Sequence, residues 1–315
     1  MIIAAYNCKD SLRLCLDALC TQNTTHSFEV IVVDDASTQP LDVLRPHYAE
    51  KLSLTVLRLP QNSGPAAARN AGVTAAAGEI ILFTDADCQP HELWLEKMLA
   101  PFADTNITGA KGVYASRQSD LWAQLAQLEF EERYEELASH SEIDFIDTHS
   151  AAYRKTAIQT AGGFNVGLRQ NEDVDLAFRI KQAGAKFVFV ADALVFHTHR
   201  EGWQAYAKLK FWRGFWRMQV YRQHPQKAIG DTYTPMSLKL QLLLLVGLPL
   251  FLASKTLRFI WKTAWLASCI PLARIAMPER YVLSLMTPIF CIVRGVALLS
   301  GMCAGLVNLL RAGRY

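Results

Sequence analysis

The chain has 315 residues, 51% hydrophobic, 19% charged and 10% aromatic, with a formal net charge of +3. With 12 Pro, 17 Gly and 7 Cys it is neither a collagen-like repeat, a disordered tail protein nor a disulfide-stapled mini-domain, and its length allows roughly two domains with a sizeable core. The net charge conceals a division: residues 1–196 carry 16 Lys+Arg against 26 Asp+Glu, a balance of −10, whereas residues 197–315 carry 16 against 3, a balance of +13.

In chain order, residues 2–6 (IIAAY), 29–34 (EVIVVD), 53–58 (SLTVLR) and 79–84 (EIILFT) are short apolar or β-branched runs, each with the pattern of a buried strand. Between them lie stretches with helical spacing, such as Leu12, Leu14, Cys15, Leu16 and Leu19, then Leu41, Val43 and Leu44, then Ala66 to Ala77. This alternation predicts βαβ units, a mostly parallel sheet covered on both faces, and a ligand site at the carboxyl ends of the strands. Past residue 90 the pattern predicts a helix from Glu92, an apolar stretch from Ile107 to Tyr114, a long charged helix around Leu121 to Leu137, and a strand pair, KFVFV and ALVFH, ending near His197. No basic residue precedes the first apolar stretch, so a secretory signal is not expected and this half is expected in the cytosol. The seven cysteines never form C-x2-C and read as reduced packing residues.

At the carboxyl ends of the predicted strands sit Tyr6 and Asn7, Asp34 and Asp35, and Asp85 and Asp87. VIVVDDAS reads at its plainest as a turn in which Asp accepts from backbone amides. ILFTDADC asks for more, because at strand spacing Asp85 and Asp87 leave the backbone on the same face and repel unless a cation lies between them. Mg²⁺ or Mn²⁺ suits such a pair when phosphate oxygens complete the shell. QNSGPAAARNAGV supplies a turn, a proline at a helix N1 position and Arg69 one turn inside, which is either a solvated arginine or one placed to grip a diphosphate. NEDVDLAFR offers Asn171 as an N-cap with Glu172, Asp173 and Asp175 in the first turn; helix starts favour acids there, and a general base fits the same place. No G-x-G-x-x-G, Walker loop, G-x-S-x-G or H-E-x-x-H occurs.

The order of these pieces, IIAAYN, VIVVDDAS, NSGPAAARNAG, ILFTDADC, AAYRK followed by GGF, NEDVDLAFR and VFHTHR, resembles the family 2 glycosyltransferases over about residues 1–200. The resemblance implies an α/β GT-A fold, Rossmann-like, with a mostly parallel central sheet and flanking helices. It also implies transfer with inversion from a nucleotide-sugar donor, usually a UDP-sugar. On this resemblance Ala4, Tyr6, Gly64 and Ala86 border the nucleotide, Asp35 accepts from the base N–H, and Arg69 faces the uridine or diphosphate. Asp85 faces the ribose or metal, Asp87 ligates the divalent metal (Mn or Mg) directly, and His197, with His199 competing for the role, is a further ligand. Asp173, the second acid of the ED pair, is the general base, and a position near Ser150 faces the sugar. No Q-x-x-R-W motif follows the ED pair, so single addition is expected rather than polymerisation. The competing readings are a sugar nucleotidyltransferase, which the ED pair and the later apolar blocks oppose, and a nucleotide-sugar-binding membrane scaffold without turnover, which the intact acids oppose.

Residues 203–222 alternate Lys and Arg with Trp, Phe and Tyr, and apolar blocks 240–253 and 281–310 follow. Those neighbours favour an interfacial helix on anionic lipid over a nucleic-acid surface. More loosely, this part resembles the membrane-associated bacterial and archaeal branch of the same family. The expected organisation is a GT-A domain over 1–200, a basic aromatic interfacial region over 201–235 and C-terminal membrane-associated helices over 236–315. The catalytic half is expected on the cytoplasmic face of the cell membrane, with membrane lipid and a lipid-linked or polysaccharide acceptor as partners and no nucleic acid. Block 240–253 falls short of the roughly 20 residues a span requires and contains Gly247 and Pro249, so it reads as re-entrant or interfacial. Block 281–310 is long enough, and its leucine-class residues offset the roughly 2.5–3.5 kcal/mol that Arg294 costs at its middle.

Overall fold

A computed structural model describes residues 1–228 and 230–312. The chain divides into two compact units, one made of Met1–Arg117 with His140–Thr198, the other of Gln118–Ser139 with the residues from His199 onward.

The first unit is built on one eight-stranded sheet. Its strands are β1 (Ile2–Ala5), β2 (Glu29–Asp34), β3 (Ser53–Arg58), β4 (Ile80–Phe83), β5 (Cys88–Pro90), β6 (Ile107–Ala115), β7 (Ala151–Arg154) and β8 (Lys186–His197), in the order β3-β2-β1-β4-β7-β6-β8-β5. The four runs expected to be strands are β1 to β4, and they pair parallel to one another. Val30, Ile31, Val32 and Val33 are all buried, as a strand covered on both faces requires. The far side of the sheet departs from the parallel pattern: β7 runs against both β4 and β6, while β6 and β8 are parallel. One edge of the sheet therefore collects the carboxyl ends of β1, β2, β4, β6 and β8 together with the amino end of β7. The expected pair KFVFV and ALVFH is a single strand, β8. Its register against β6 shifts between Lys111 and Val113, so the irregularity is absorbed as a bulge rather than opened into a turn.

The second unit includes a helix drawn from within residues 1–200. The helix Leu121–Ala138 clusters with the helices Trp203–Gln223, Met236–Phe251, Lys255–Ile275 and Tyr281–Ala312. Apolar packing is one cause, with Leu125 and Leu128 in the same core as Tyr206, Leu244, Trp265, Leu272 and Phe290. Charge is the other. Glu129 is fully buried, accepts from Tyr206 Oη at 2.8 Å, lies 2.7 Å from Lys210 Nζ and pairs with Arg133. Burial opposes its charge, but Lys210, Arg133 and Arg294 together hold its carboxyl well below the ordinary carboxylate range. Glu131 pairs with Arg280 at 2.7 Å and Glu135 with Arg274 at 2.8 Å. Of the basic residues behind the +13 balance, Lys210 and Arg294 thus face the acids of one helix rather than solvent or lipid, and Arg274 and Arg280 pair with its acids at the surface.

Arg294 belongs to this network. Its Nη2 donates to Gln241 Oε1 at 2.7 Å, and its Nη1 lies 4.0 Å from Glu129 and 3.9 Å from Glu132. Replacing it removes one cation from the buried network, taking the partner of Glu132 and leaving Glu129 to Lys210 and Arg133, so Arg294→Met is expected to cost about 3–5 kcal/mol, read as a lowered midpoint in thermal or urea unfolding. By length and composition alone the helix over Tyr281–Arg311 is apolar enough to cross a membrane.

Candidate functional site

The site is assembled at the shared edge of the sheet. After β2 the two aspartates separate in role. Asp34 is buried; its Oδ1 accepts from the Ser37 amide at 2.8 Å and its Oδ2 from Arg58 Nη1 at 2.5 Å. Burial opposes its charge, and the Ser37, Leu41 and Arg58 contacts outweigh that and lower its pKa, so this acid holds the turn. Asp35 has one oxygen on the Ser63 amide at 2.7 Å and the other on the Gly64 amide at 2.8 Å. Each carboxylate oxygen keeps a further lone-pair direction for a ligand N–H. The expected loop 62–64 is therefore tied to β2, and Gly64 precedes the helix Pro65–Ala75 with φ 86°. A Cβ on Gly64 would meet nothing within 4 Å, so the requirement for glycine there is conformational rather than spatial. Tyr6, 50% exposed after β1, faces solvent, while Ala4 is half-buried and Ala86 buried.

Arg69 is neither a solvated helix arginine nor a group reaching into open space. It is 5% exposed; Nη1 donates to Glu172 Oε1 at 2.5 Å and Nη2 to Asp85 Oδ1 at 2.9 Å. Burial works against the guanidinium charge, yet Asp85 and Glu172 raise its pKa further. The arginine joins the sheet edge to the amino end of the helix Glu172–Gln182, and so brings Asp173 to the same region as Asp85. Burial and the like charge of Asp147, only partly offset by Arg69, raise the pKa of Asp173, whose Oδ1 accepts from the Val174 amide at 2.8 Å. Burial likewise raises Glu172.

Asp85 and Asp87 reach the site by a turn, not by strand spacing. β4 ends at Phe83, the Cys88 amide donates to the Asp85 carbonyl at 3.0 Å, and β5 begins at Cys88. Antiparallel pairing sets Cys88 opposite His197, which brings Asp87 Oδ2 to 3.8 Å from His197 Nε2. Asp85 Oδ2 lies 3.6 Å from His149 Nε2, and the His149 and His197 rings are 4.7 Å apart, edge to face. Asp85 is held below the ordinary carboxylate range, with His149 and Arg69 overcoming burial. Two donors on one ion at about 2.1 Å each are at most about 4.2 Å apart, so Asp87 and His197 fit a shared divalent cation. Among the described residues no three His, Cys, Asp or Glu side chains gather into a complete metal cage.

His199 is directed elsewhere: it lies in the second unit, with Nε2 2.9 Å from Gln127 Oε1 and its ring stacked on Phe130. Ser150 is fully buried and accepts from Trp94 Nε1 at 2.8 Å, so its side chain braces the sheet rather than facing a sugar. The residues sequence reasoning missed are His149, Asp147 and the anchoring role of Glu172. Asp147 pairs with the buried Lys111 at 2.6 Å and lies 3.8 Å from His149 Nδ1. A histidine and an aspartate two apart just before an apolar run were the available signal.

The sheet, its strand order and this edge define the fold as GT-A, and two solved structures share it. Mannosyltransferase PcManGT from Pyrobaculum calidifontis, in complex with GDP-Man and Mn2+, superposes with a TM-score of 0.60 at 22% identity, over 95% of this chain and 86% of that one. S. aureus TarS 1-349 in complex with UDP superposes with a TM-score of 0.54 at 20% identity, over 100% and 91%. Residues 1–162 match the family Glycosyl transferase family 2, and the chain belongs to that family. Among its relatives, the pre-mycofactocin glycosyltransferase of Mycobacterium tuberculosis is 30% identical over 231 residues, 69% of this chain and 47% of that protein. Glycosyltransferase AglE of Haloferax volcanii is 27% identical over 211 residues, 64% of this chain and 66% of that protein. The chain thus spans about half the length of the first relative and just under two thirds of the second.

Proposed function

We propose that the protein moves a sugar, with inversion, from a nucleotide-sugar donor, a UDP-sugar, to the hydroxyl of a lipid-linked or saccharide acceptor at the cytoplasmic face of a membrane. The observation that supports this reading is Arg69, which pairs with Asp85 and Glu172 at 2.9 and 2.5 Å and so ties the start of the helix that carries Asp173, assigned here as the base, to Asp85. Asp35 accepts from the base N–H, and Tyr6, Ala4, Gly64 and Ala86 border the nucleotide.

The acceptor oxygen forms the new bond to the anomeric carbon on the face opposite the nucleotide, Asp173 takes its proton, and the bond to the distal phosphate breaks with its electron pair passing to the diphosphate. A raised pKa suits Asp173 to this task, because a base is more effective the closer its pKa lies to the working pH. Asp87 and His197 would hold a divalent cation, which when bound supplies charge neutralisation at the departing diphosphate. Asp85, already neutralised by Arg69, orients the ribose and the loop. An imidazole in the ligand pair favours Mn²⁺ over Mg²⁺. The Mn²⁺-complexed PcManGT supports metal use, and the two solved neighbours hold different nucleotides, GDP-Man in PcManGT and UDP in TarS.

Calorimetric titration of UDP and GDP, with and without Mn²⁺, tests the reading. UDP is expected to bind in a Mn²⁺-dependent way, and Asp87→Ala or His197→Ala to raise the Mn²⁺ requirement roughly tenfold or more. Metal-independent binding unchanged by both substitutions would remove these two residues from the role.

A further inference from the structure

The long helix Tyr281–Ala312 is apolar enough to cross a bilayer, yet its packing within the second unit speaks against crossing. Arg280, immediately before the helix, pairs with Glu131, and Arg294 at its middle lies against Glu129, Glu132 and Gln241. Farther along, Gly301 and Gly305 lie on the helix Trp203–Gln223, so close that a Cβ would collide with the Phe211 and Phe215 carbonyls; Gly214 opposes Leu298 in the same way. One side of the helix is therefore committed to protein along most of its length. The partners are charged: Leu121–Ala138 carries Glu129, Glu131, Glu132, Arg133, Glu135 and Glu136, and hydrocarbon does not admit that helix. Residues 116–120 and 139–140 connect both ends of that helix to the sheet unit along the chain.

The opposite side of the same helices is exposed and apolar. Leu240, Leu243, Val246 and Leu250 line one face of Met236–Phe251, and Leu285, Ile289, Ile292 and Val296 recur at helical spacing along Tyr281–Ala312. On Lys255–Ile275 the exposed stripe Phe259, Leu266 and Ile270 is flanked by exposed Lys255, Arg258 and Lys262. Apolar side chains edged by cations complement the acyl boundary and the anionic headgroups of one leaflet.

We propose that the C-terminal helices form a monotopic platform that lies in one leaflet of an anionic bilayer, with the helix Tyr281–Ala312 in the plane of the interface and not across it. This rests on the membrane association proposed above and is independent of the transfer chemistry. The platform takes lipid as its partner; a second copy of the chain on the same face is the competing outcome.

Impermeant-maleimide labelling of the full chain in sealed inside-out and right-side-out vesicles tests it, with modification read by peptide mass spectrometry. Glu279→Cys and Arg311→Cys, at the two ends of the helix, are expected to label from the same side as Glu50→Cys in the catalytic unit. Labelling of the two ends from opposite sides overturns the proposal. Purified protein is further expected to float with phosphatidylcholine vesicles containing phosphatidylglycerol. Binding should fall roughly fivefold for each of Lys255→Glu, Arg258→Glu and Lys262→Glu. Dimerisation without vesicle binding would assign the face to a second copy and overturn the lipid assignment. Loss of sugar transfer in every assay would leave these readouts unmoved, so failure of the platform and failure of the catalytic reading are distinguishable.

Discussion

Asp173→Asn is expected to lower sugar transfer by about 10²–10⁴-fold while leaving nucleotide binding near its wild-type value. The substitution keeps the shape of the side chain and its acceptance from the Val174 amide, and removes only the capacity to take a proton. The neighbouring Glu172 is engaged with Arg69 and does not substitute for it. A pH profile of kcat/KM supplies the complementary readout. Because burial raises the pKa of Asp173, the acid limb of the profile is expected above the ordinary aspartate value near 4, with activity rising as the base deprotonates. An acid limb at the unperturbed value, or substantial residual transfer in the Asn variant, would remove Asp173 from the role.

Arg69→Met carries the second large effect, and it separates two roles for this arginine. A group that only touches the diphosphate would weaken donor binding and leave folding alone. The pairing with Asp85 and Glu172 instead predicts a loss of about 3–5 kcal/mol of stability, because two largely buried carboxylates lose their cation. The sign of the pH dependence follows. Without Arg69 the carboxyl of Glu172, already raised by burial, loses its cation and rises further above its unfolded value, so the folded protein binds more protons across that window and stability falls as pH rises through it. Urea unfolding of Arg69→Met between pH 4 and 8 is expected to show the largest deficit relative to wild type at the neutral end. A deficit equal at all pH values would indicate lost packing alone.

Much of the sheet unit was legible in the sequence because local pattern and global position agree there. The runs that became β1, β2 and β4 are buried on both faces and show this as near-continuous apolar residues, while β3, at the sheet edge, exposes Ser53, Thr55 and Arg58. Asp35, Asp85 and Asp87 follow such strands directly, and a parallel sheet puts every carboxyl end on one edge. His149 was illegible for the converse reason. It precedes β7, and a reader who takes the sheet as parallel sends it to the wrong edge; only the antiparallel pairing with β4 brings it to Asp85. Asp34 and Asp35 look alike in sequence, and their division into an acid paired with Arg58 and an acid that accepts from the Ser63 and Gly64 amides depends on partners more than 20 residues away.

The charge division had a further cause that composition hides. The boundary near residue 200 separates two balances, but the acidic helix Leu121–Ala138 crosses it by packing with the basic C-terminal helices. Lys210, Arg274, Arg280 and Arg294 look like a lipid-facing set when counted along the chain, and each is turned towards a glutamate of that helix. Counting charges by segment assigns them to solvent or membrane; only tertiary contact shows which remain available. Lys255, Arg258 and Lys262 are such residues.

The central claim is catalytic turnover of a nucleotide-sugar through Asp173. It is tested most directly by offering the purified full chain a panel of UDP- and GDP-sugars with Mn²⁺, lipid and saccharide acceptors included, and measuring nucleotide release beside the Asp173→Asn variant. Release from a UDP-sugar by the wild type, abolished in the variant, is the predicted result; no release from any donor, or equal release by both proteins, would contradict it.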